Sequence, residues 1–271
     1  MFAEINHIAM NSSEWPMLGR FYEAVFGLKG PSAGKSRPLN GVTVGDGRVG
    51  LNINPRRDRF AAGLDHFGFL VDDVTLVEDR LKRKYPKASL VKRPATRPFA
   101  AYSGADPDGN LFDLAQRKND NRSQVYAEQA ASGWNQDRHF NKYALRTVNA
   151  DDVAAFYADV FELTPVNAPS VPGHHLSDGR VTLAILPWSI EDFAGTANLR
   201  PGPDHVGFKV ESIEALKQEI ARVIGLNFRF APVPLGGGPE ADLRKAVFEK
   251  VATGTYQMAD PDGNWIDVSE Q

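Results

Sequence analysis

The chain repeats itself in order. FYEAVFGL (21–28) returns as FYADVFEL (156–163), and DGRVGLNINP (46–55) as DGRVTLAILP (178–187). LDHFGFLVDD (64–73) returns as PDHVGFKVES (203–212), and DPDGN (106–110) as DPDGN (260–264). The spacing between copies drifts only by loop-sized amounts until the last pair, where the second copy carries extra sequence around PLGGGPEADLRKAVFEK (234–250). A chain of 271 residues that repeats once is expected to be two homologous domains, each long enough to bury its own core. The repeats place them at 1–117 and 139–271. The polar stretch 118–138 between them reads as a linker, with a short helix at 123–131.

Each half divides again. Residues 4–11, EINHIAMN, alternate and read as a strand. Residues 17–28 set Leu18, Phe21, Tyr22, Val25 and Phe26 on one helical face. Strands are expected over 41–54, split by the Gly-Asp-Gly turn at 45–47, and again over 64–71. A helix over 73–85 ends before Pro86, and strands follow near 88–92, 99–103 and 110–116. The fold class is therefore α+β, with each half built as twice β-α-β-β-β and four modules in the chain.

Within DPDGNLFDLAQ (106–116), Asp-Pro starts a turn and Asp-Gly supplies its φ > 0 position. The turn explains nothing about the aspartate in the strand that follows. Alternation puts Leu111, Asp113 and Ala115 on one face, with Phe112 and Leu114 on the other. An ionised aspartate on an interior face is costly without a cation or hydrogen-bond donors. Asp267 repeats the problem in DPDGNWIDVSEQ (260–271).

Tandem modules with histidine on a first strand and DPDGNxx(E/D) before a last strand resemble the vicinal oxygen chelate superfamily. The resemblance rests on NHIAM with FYEAVFGL, on LDHFGF with DPDGNLFDL, and on their second-half counterparts. That superfamily includes glyoxalase I, bleomycin-resistance proteins and extradiol dioxygenases, so it implies a fold more firmly than an activity. It implies two half-open barrels, each of two modules that face each other around one metal. Mapped onto this chain, the ligands are His7, His66 and Asp113 if modules 1 and 2 pair. If modules 1 and 4 pair, they are His7, His205 and Asp267. Consecutive pairing is favoured, because the longer linker lies between modules 2 and 3. Two imidazoles and one carboxylate leave open positions on a divalent ion and suit Fe(II), with Mn(II) or another divalent metal as alternatives.

The chain also departs from its relatives. Glyoxalase I has a glutamate as a fourth ligand, whereas VGLNIN (49–54) has no carboxylate and offers Asn52 as a polar filler. Extradiol dioxygenases have Glu where Asp113 stands, and they use a pocket histidine as acid/base. The six histidines here are 7, 66, 139, 174, 175 and 205, so His139, His174 or His175 would have to reach across. Tyr102, one residue too far from Asp-Pro for the extradiol signature, and Arg97 are the candidate catalytic pocket residues; Tyr256 repeats Tyr102. Lys142 stands where the repeat puts His7, and an ammonium repels a metal. The second half is therefore expected to be structural, with a Lys142–Asp267 salt bridge in place of an ion.

Three functional classes follow. The leading one is an Fe(II) oxidoreductase of extradiol dioxygenase type acting on a small catechol-like aromatic. The second is a metal-dependent glyoxalase-like lyase or isomerase. The third is a metal-free small-molecule binder of bleomycin-resistance kind, whose pocket Phe67, Phe69, Phe99 and Trp188 could line. A net charge of −3 gives no reason to expect a nucleic-acid partner. No apolar run is long enough for a membrane span, and MFAEINHIAM lacks signal-peptide character, so a cytoplasmic location is expected. With no cysteine, thiolate metal sites and cysteine nucleophiles are excluded. Monomer and homodimer are both compatible with four modules in one chain.

Overall fold

The computed structural model describes residues 2–30, 41–58, 60–93, 98–120, 137–190 and 200–271. The expected helix at 123–131 and the candidate Arg97 lie outside the described residues. The first half runs β1 (Ala3–Ser12), α1 (Trp15–Phe26), β2 (Val42–Gly45), β3 (Gly50–Pro55) and β4 (Gly63–Val71), then α2 (Val74–Lys84), β5 (Val91–Lys92), β6 (Tyr102–Ala105) and β7 (Leu111–Gln116). The second half runs β8 (His139–Thr147), α3 (Ala150–Phe161), β9 (Thr164–Pro165), β10 (His174–Ser177), β11 (Thr182–Pro187) and β12 (Gly202–Val210). It continues through α4 (Ile213–Leu226), α5 (Pro239–Glu249), β13 (Tyr256–Ala259) and β14 (Trp265–Glu270).

These strands form two open seven-stranded sheets, ordered β2-β3-β1-β4-β7-β6-β5 and β13-β14-β12-β8-β11-β10-β9. Each sheet joins two consecutive modules through their antiparallel first strands, β1 to β4 and β8 to β12. Each sheet is one strand short of four per module. In module 1, a single bridge, Lys29 to Gly45, stands where β9 stands in module 3. In module 4, α5 occupies the extra sequence before β13. A 3-10 turn, Pro98–Ala100, takes the start of the strand expected at 99–103, and β6 begins at Tyr102.

The helix-bearing faces of both sheets share one apolar core. Leu18, Phe21, Tyr22, Val25 and Phe26 of α1 are all buried in it. Gly27 ends α1 with φ 67, a conformation glycine adopts without cost. Rings cross between the halves in matched pairs: Phe26 stacks on Phe208 at 4.0 Å and Phe161 on Phe69 at 4.1 Å. The polar contacts are matched too. The Tyr22 hydroxyl donates to Asp260 (2.9 Å) and that of Tyr157 to Asp106 (3.1 Å). Backbone N–H groups do the same, Ile5 donating to Asp178 (2.7 Å) and Phe140 to Asp46 (2.9 Å). The repeated FYxxVF, DGRV and DPDGN segments are thus the surfaces by which each half grips the other. Among the described residues no helix is long and apolar enough to cross a membrane.

Candidate metal centre

Each sheet has a second face, on the side away from the core. Residues reach it by alternation and by bulges. On β7, Phe112 and Leu114 enter the core while Asp113 points the other way. On β1, the register against β4 slips by one residue between Ile5 and His7, so that Asn6 is extra and stands beside His7 off the core face. On β4, the slip opposite Ala9 and Met10 makes Asp65 the extra residue, beside His66. Each bulge seats a histidine next to an acceptor. The Nδ1 of His7 lies 2.8 Å from Asn6 Oδ1, and that of His66 lies 2.6 Å from Asp65 Oδ2.

With both Nδ1 atoms held, the Nε2 atoms aim at one point. His66 Nε2 is 3.2 Å, and His7 Nε2 3.7 Å, from Asp113 Oδ2. Ligand atoms of His7, His66 and Asp113 all lie within 4.8 Å of one another. The His7 ring lies over Gly68, where a Cβ would come within 2.0 Å of its Cε1. Ser103 on β6 donates to Asp113 Oδ1 (2.6 Å), and Arg93, just past β5, donates to Oδ2 (2.6 Å). Asn11 donates to the other oxygen of Asp65 at 3.1 Å.

The electrostatics follow from this packing. Burial acts to raise the Asp113 carboxyl, but the hydrogen bonds and charges of His66 and His7 outweigh it and hold it well below the usual range. Burial acts to lower His66, yet Asp113 and Asp65 push it up to about 9. Asp65 is lowered, chiefly by its bond to His66. Anchored Nδ1 atoms, convergent Nε2 atoms, a carboxylate and a glycine cradle fit a divalent cation. His7, His66 and Asp113 are the residues that could hold it.

The alternative set is not assembled. His205 and Asp267 stand on the second sheet, beside Lys142, whose ammonium bonds Asp267. Tyr102 also departs from expectation. It stands opposite Leu114 and packs on the core, while its neighbour Ser103 faces Asp113. The one extra residue before Asp-Pro explains this, since a shift of one along a strand reverses the face. The second half obeys the same parity, Tyr256 packing on the core and Gln257 reaching Asp267 at 3.3 Å. Asn52 is held as a filler by the Thr43 hydroxyl at 2.9 Å.

No second-half histidine comes across. His174 bonds Asp151 (2.6 Å), and His139 opens β8, its protonation disfavoured by burial and by Arg180. His175 is lowered to about 4, by burial first and then by the charges of Lys142 and His205. Of the proposed aromatic lining, Phe67 and Phe69 are core residues, Trp188 follows β11 in the second half, and Phe99 alone meets the site, edge to face with His7 at 5.9 Å. Sequence reasoning missed Asn6, Asp65, Arg93 and Ser103. For the first two a signal was present: the four equivalent dipeptides read Asn-His, Asp-His, Asn-Lys and Asp-His at 6–7, 65–66, 141–142 and 204–205.

Comparison with known proteins adds the family. Residues 4–114 match the model described as the Glyoxalase/Bleomycin resistance protein/Dioxygenase superfamily. The first half belongs to that superfamily. No curated protein matches the chain by sequence. Among solved structures, the chain resembles the Mn(II)-bound glyoxalase from Novosphingobium aromaticivorans, with TM-score 0.62 and 16% identity over 99% of this chain and 82% of that one. It resembles 2,2',3-trihydroxybiphenyl 1,2-dioxygenase from Sphingomonas wittichii strain RW1, with TM-score 0.63 and 17% identity over 100% and 91%. It also resembles homoprotocatechuate 2,3-dioxygenase from Arthrobacter globiformis, with TM-score 0.59 and 14% identity over 100% and 80%. At these identities the likeness is one of fold.

Proposed function

We propose that the chain is a divalent-metal-dependent enzyme of extradiol dioxygenase type, acting on a small catechol-like aromatic, with His7, His66 and Asp113 holding Fe(II) or Mn(II). The observation that carries this reading is the convergence of two anchored Nε2 atoms and one carboxylate oxygen at a single point. A cation held by such a facial set keeps open positions and supplies Lewis acidity toward two adjacent substrate oxygens. The chain's own residues do the rest. With a cation bound, Asn6 and Asp65 would accept from the Nδ1–H of each neutral ring and leave the Nε2 lone pair for the ion. Ser103 fixes the Asp113 carboxylate through Oδ1 and leaves Oδ2 turned to the site. Phe99 places an aromatic edge beside His7, a wall for a flat substrate.

Metal analysis of the purified protein tests the reading. We expect about one iron or manganese per chain, lost in His7→Ala and kept in His205→Ala. Metal-free protein that binds a catechol equally well in both would sink it in favour of the binder. A second reading, a lyase or isomerase, is favoured by one observation: among the described residues no spare histidine reaches the site to serve as acid/base. Oxygen uptake with a catechol panel separates the two, since the dioxygenase consumes one O₂ per substrate and the lyase none.

A further inference from the structure

Arg93 has no part in the reading above, yet it touches the site's central atom. Its Nη1 lies 2.6 Å from Asp113 Oδ2, the same oxygen that His66 and His7 approach. The two partners differ in setting. Asp113 is 6% exposed at its side chain and Arg93 32%, so the guanidinium reaches in from the solvent side. Its root is fixed, because the Arg93 N–H donates to Ala101 O at 2.8 Å. A divalent ion held by Asp113 would compete with the guanidinium for the carboxylate and repel it. Asp65, the other carboxylate beside the triad, already uses both oxygens, one for His66 and one for Asn11.

We infer that Arg93 is the specificity-determining residue of this site, and that the substrate class is a vicinal-oxygen aromatic bearing a carboxylate that Arg93 receives. The inference rests on the metal-dependent reading. Charge counting supports it. A divalent ion, one carboxylate ligand, two neutral imidazoles and one guanidinium leave two positive charges uncompensated. A ligand with one chelating oxyanion and one carboxylate balances them. An arginine fork also suits a planar carboxylate better than an ammonium would.

The test is anaerobic calorimetry on Mn(II)-loaded protein with two probes, catechol and 3,4-dihydroxybenzoate, with metal content measured separately. Wild type should bind the carboxylated probe about tenfold or more tightly than catechol. Arg93→Gln should bring the two within about twofold at unchanged metal content. Arg93→Lys should restore part of the preference. Lys92→Gln removes the same charge one residue away, from an exposed side chain, and should leave the preference intact. Metal-loaded wild type that binds neither probe, or shows no preference, overturns the inference alone, as does a preference that survives Arg93→Gln. Protein that takes up no metal overturns the functional reading, and this inference with it.

Discussion

The two sheet faces turned away from the core share their central strands and differ in contents. In the first half, Asp113 meets two imidazoles, a hydroxyl and a guanidinium that comes from outside. In the second half, Asp267 meets a lysine rooted in the sheet itself. It also accepts from the backbone N–H groups of Thr253 (2.8 Å) and Gly254 (3.0 Å). Helix α5 then closes that face. Phe248 sits 5.1 Å from the His205 ring and stacks on Trp265 at 4.8 Å, and with Val251 it packs on Ala144, Ala184 and Leu186. The supporting chains differ in charge as well. Asn11 backs Asp65 behind His66, while Arg146 backs Asp204 (2.5 Å) behind His205. Where the first half brings two imidazoles to its aspartate, the second half holds a cation, two backbone donors and an apolar plug.

This contrast can be broken at several points. The largest effect should come from Lys142→Ala, which strips a buried carboxylate of its partner and should cost about 3–5 kcal/mol in urea unfolding. His7→Ala, at the matching position, should cost far less in metal-free protein, since Arg93 still neutralises Asp113. Equal losses would show that the two faces do not differ as described. Lys142→His should create no second metal site, because the backbone donors and α5 remain; two metals per chain would contradict that.

Gly68→Ala should weaken Mn(II) binding by about 10–100-fold, because its Cβ meets the His7 ring. Gly207→Ala, which crowds Asn141 and Lys142 instead, should lower stability and leave metal affinity alone. Asp65→Asn should cost about tenfold in metal affinity, and Asp204→Asn nothing. A titration of either pair by calorimetry decides.

The smaller effects concern the contacts between halves. Burial pushes the Asp260 carboxyl up to about 6, against about 4 in an unfolded chain. A carboxyl that holds its proton more tightly when folded contributes stability below pH 4, and that contribution is lost as pH rises through 6. The stability of the parent relative to Asp260→Asn should therefore fall by about 2–3 kcal/mol between pH 4 and pH 7. A flat difference would mean that Asp260 is not the buried acid it is here. Tyr22→Phe and Tyr157→Phe should each cost about 1–2 kcal/mol, and by similar amounts, because the two contacts are copies.

Much of this was legible in order and spacing. The repeats indicated two halves of two modules each, helical periodicity marked the α1 core face, and alternation turned Asp113 away from Phe112 and Leu114, while the triad as a set came from the resemblance to the superfamily. Lys142 opposite Asp267 could be read because one repeat explained the other. What could not be read depended on parity and on loops. Tyr102 was placed by chemistry, but one inserted residue put Ser103 at the site instead. Arg93 lies in a basic stretch with no periodicity to aim it, so only the fold brings it to Asp113. The plug was visible as an insertion, but not as what packs over the second sheet.

One consequence of the crossed contacts remains. The turn that launches the Asp113 strand is gripped from the other half, by Tyr157 on Asp106 and by Asn149 on Asp108 at 2.7 Å. Ile5, two residues before His7, is gripped by Asp178. All three candidate ligands belong to the first half, yet the strands that carry them are moored in the second, β4 through the stacking of Phe69 on Phe161. A first half expressed alone would contain every candidate ligand and lack these moorings.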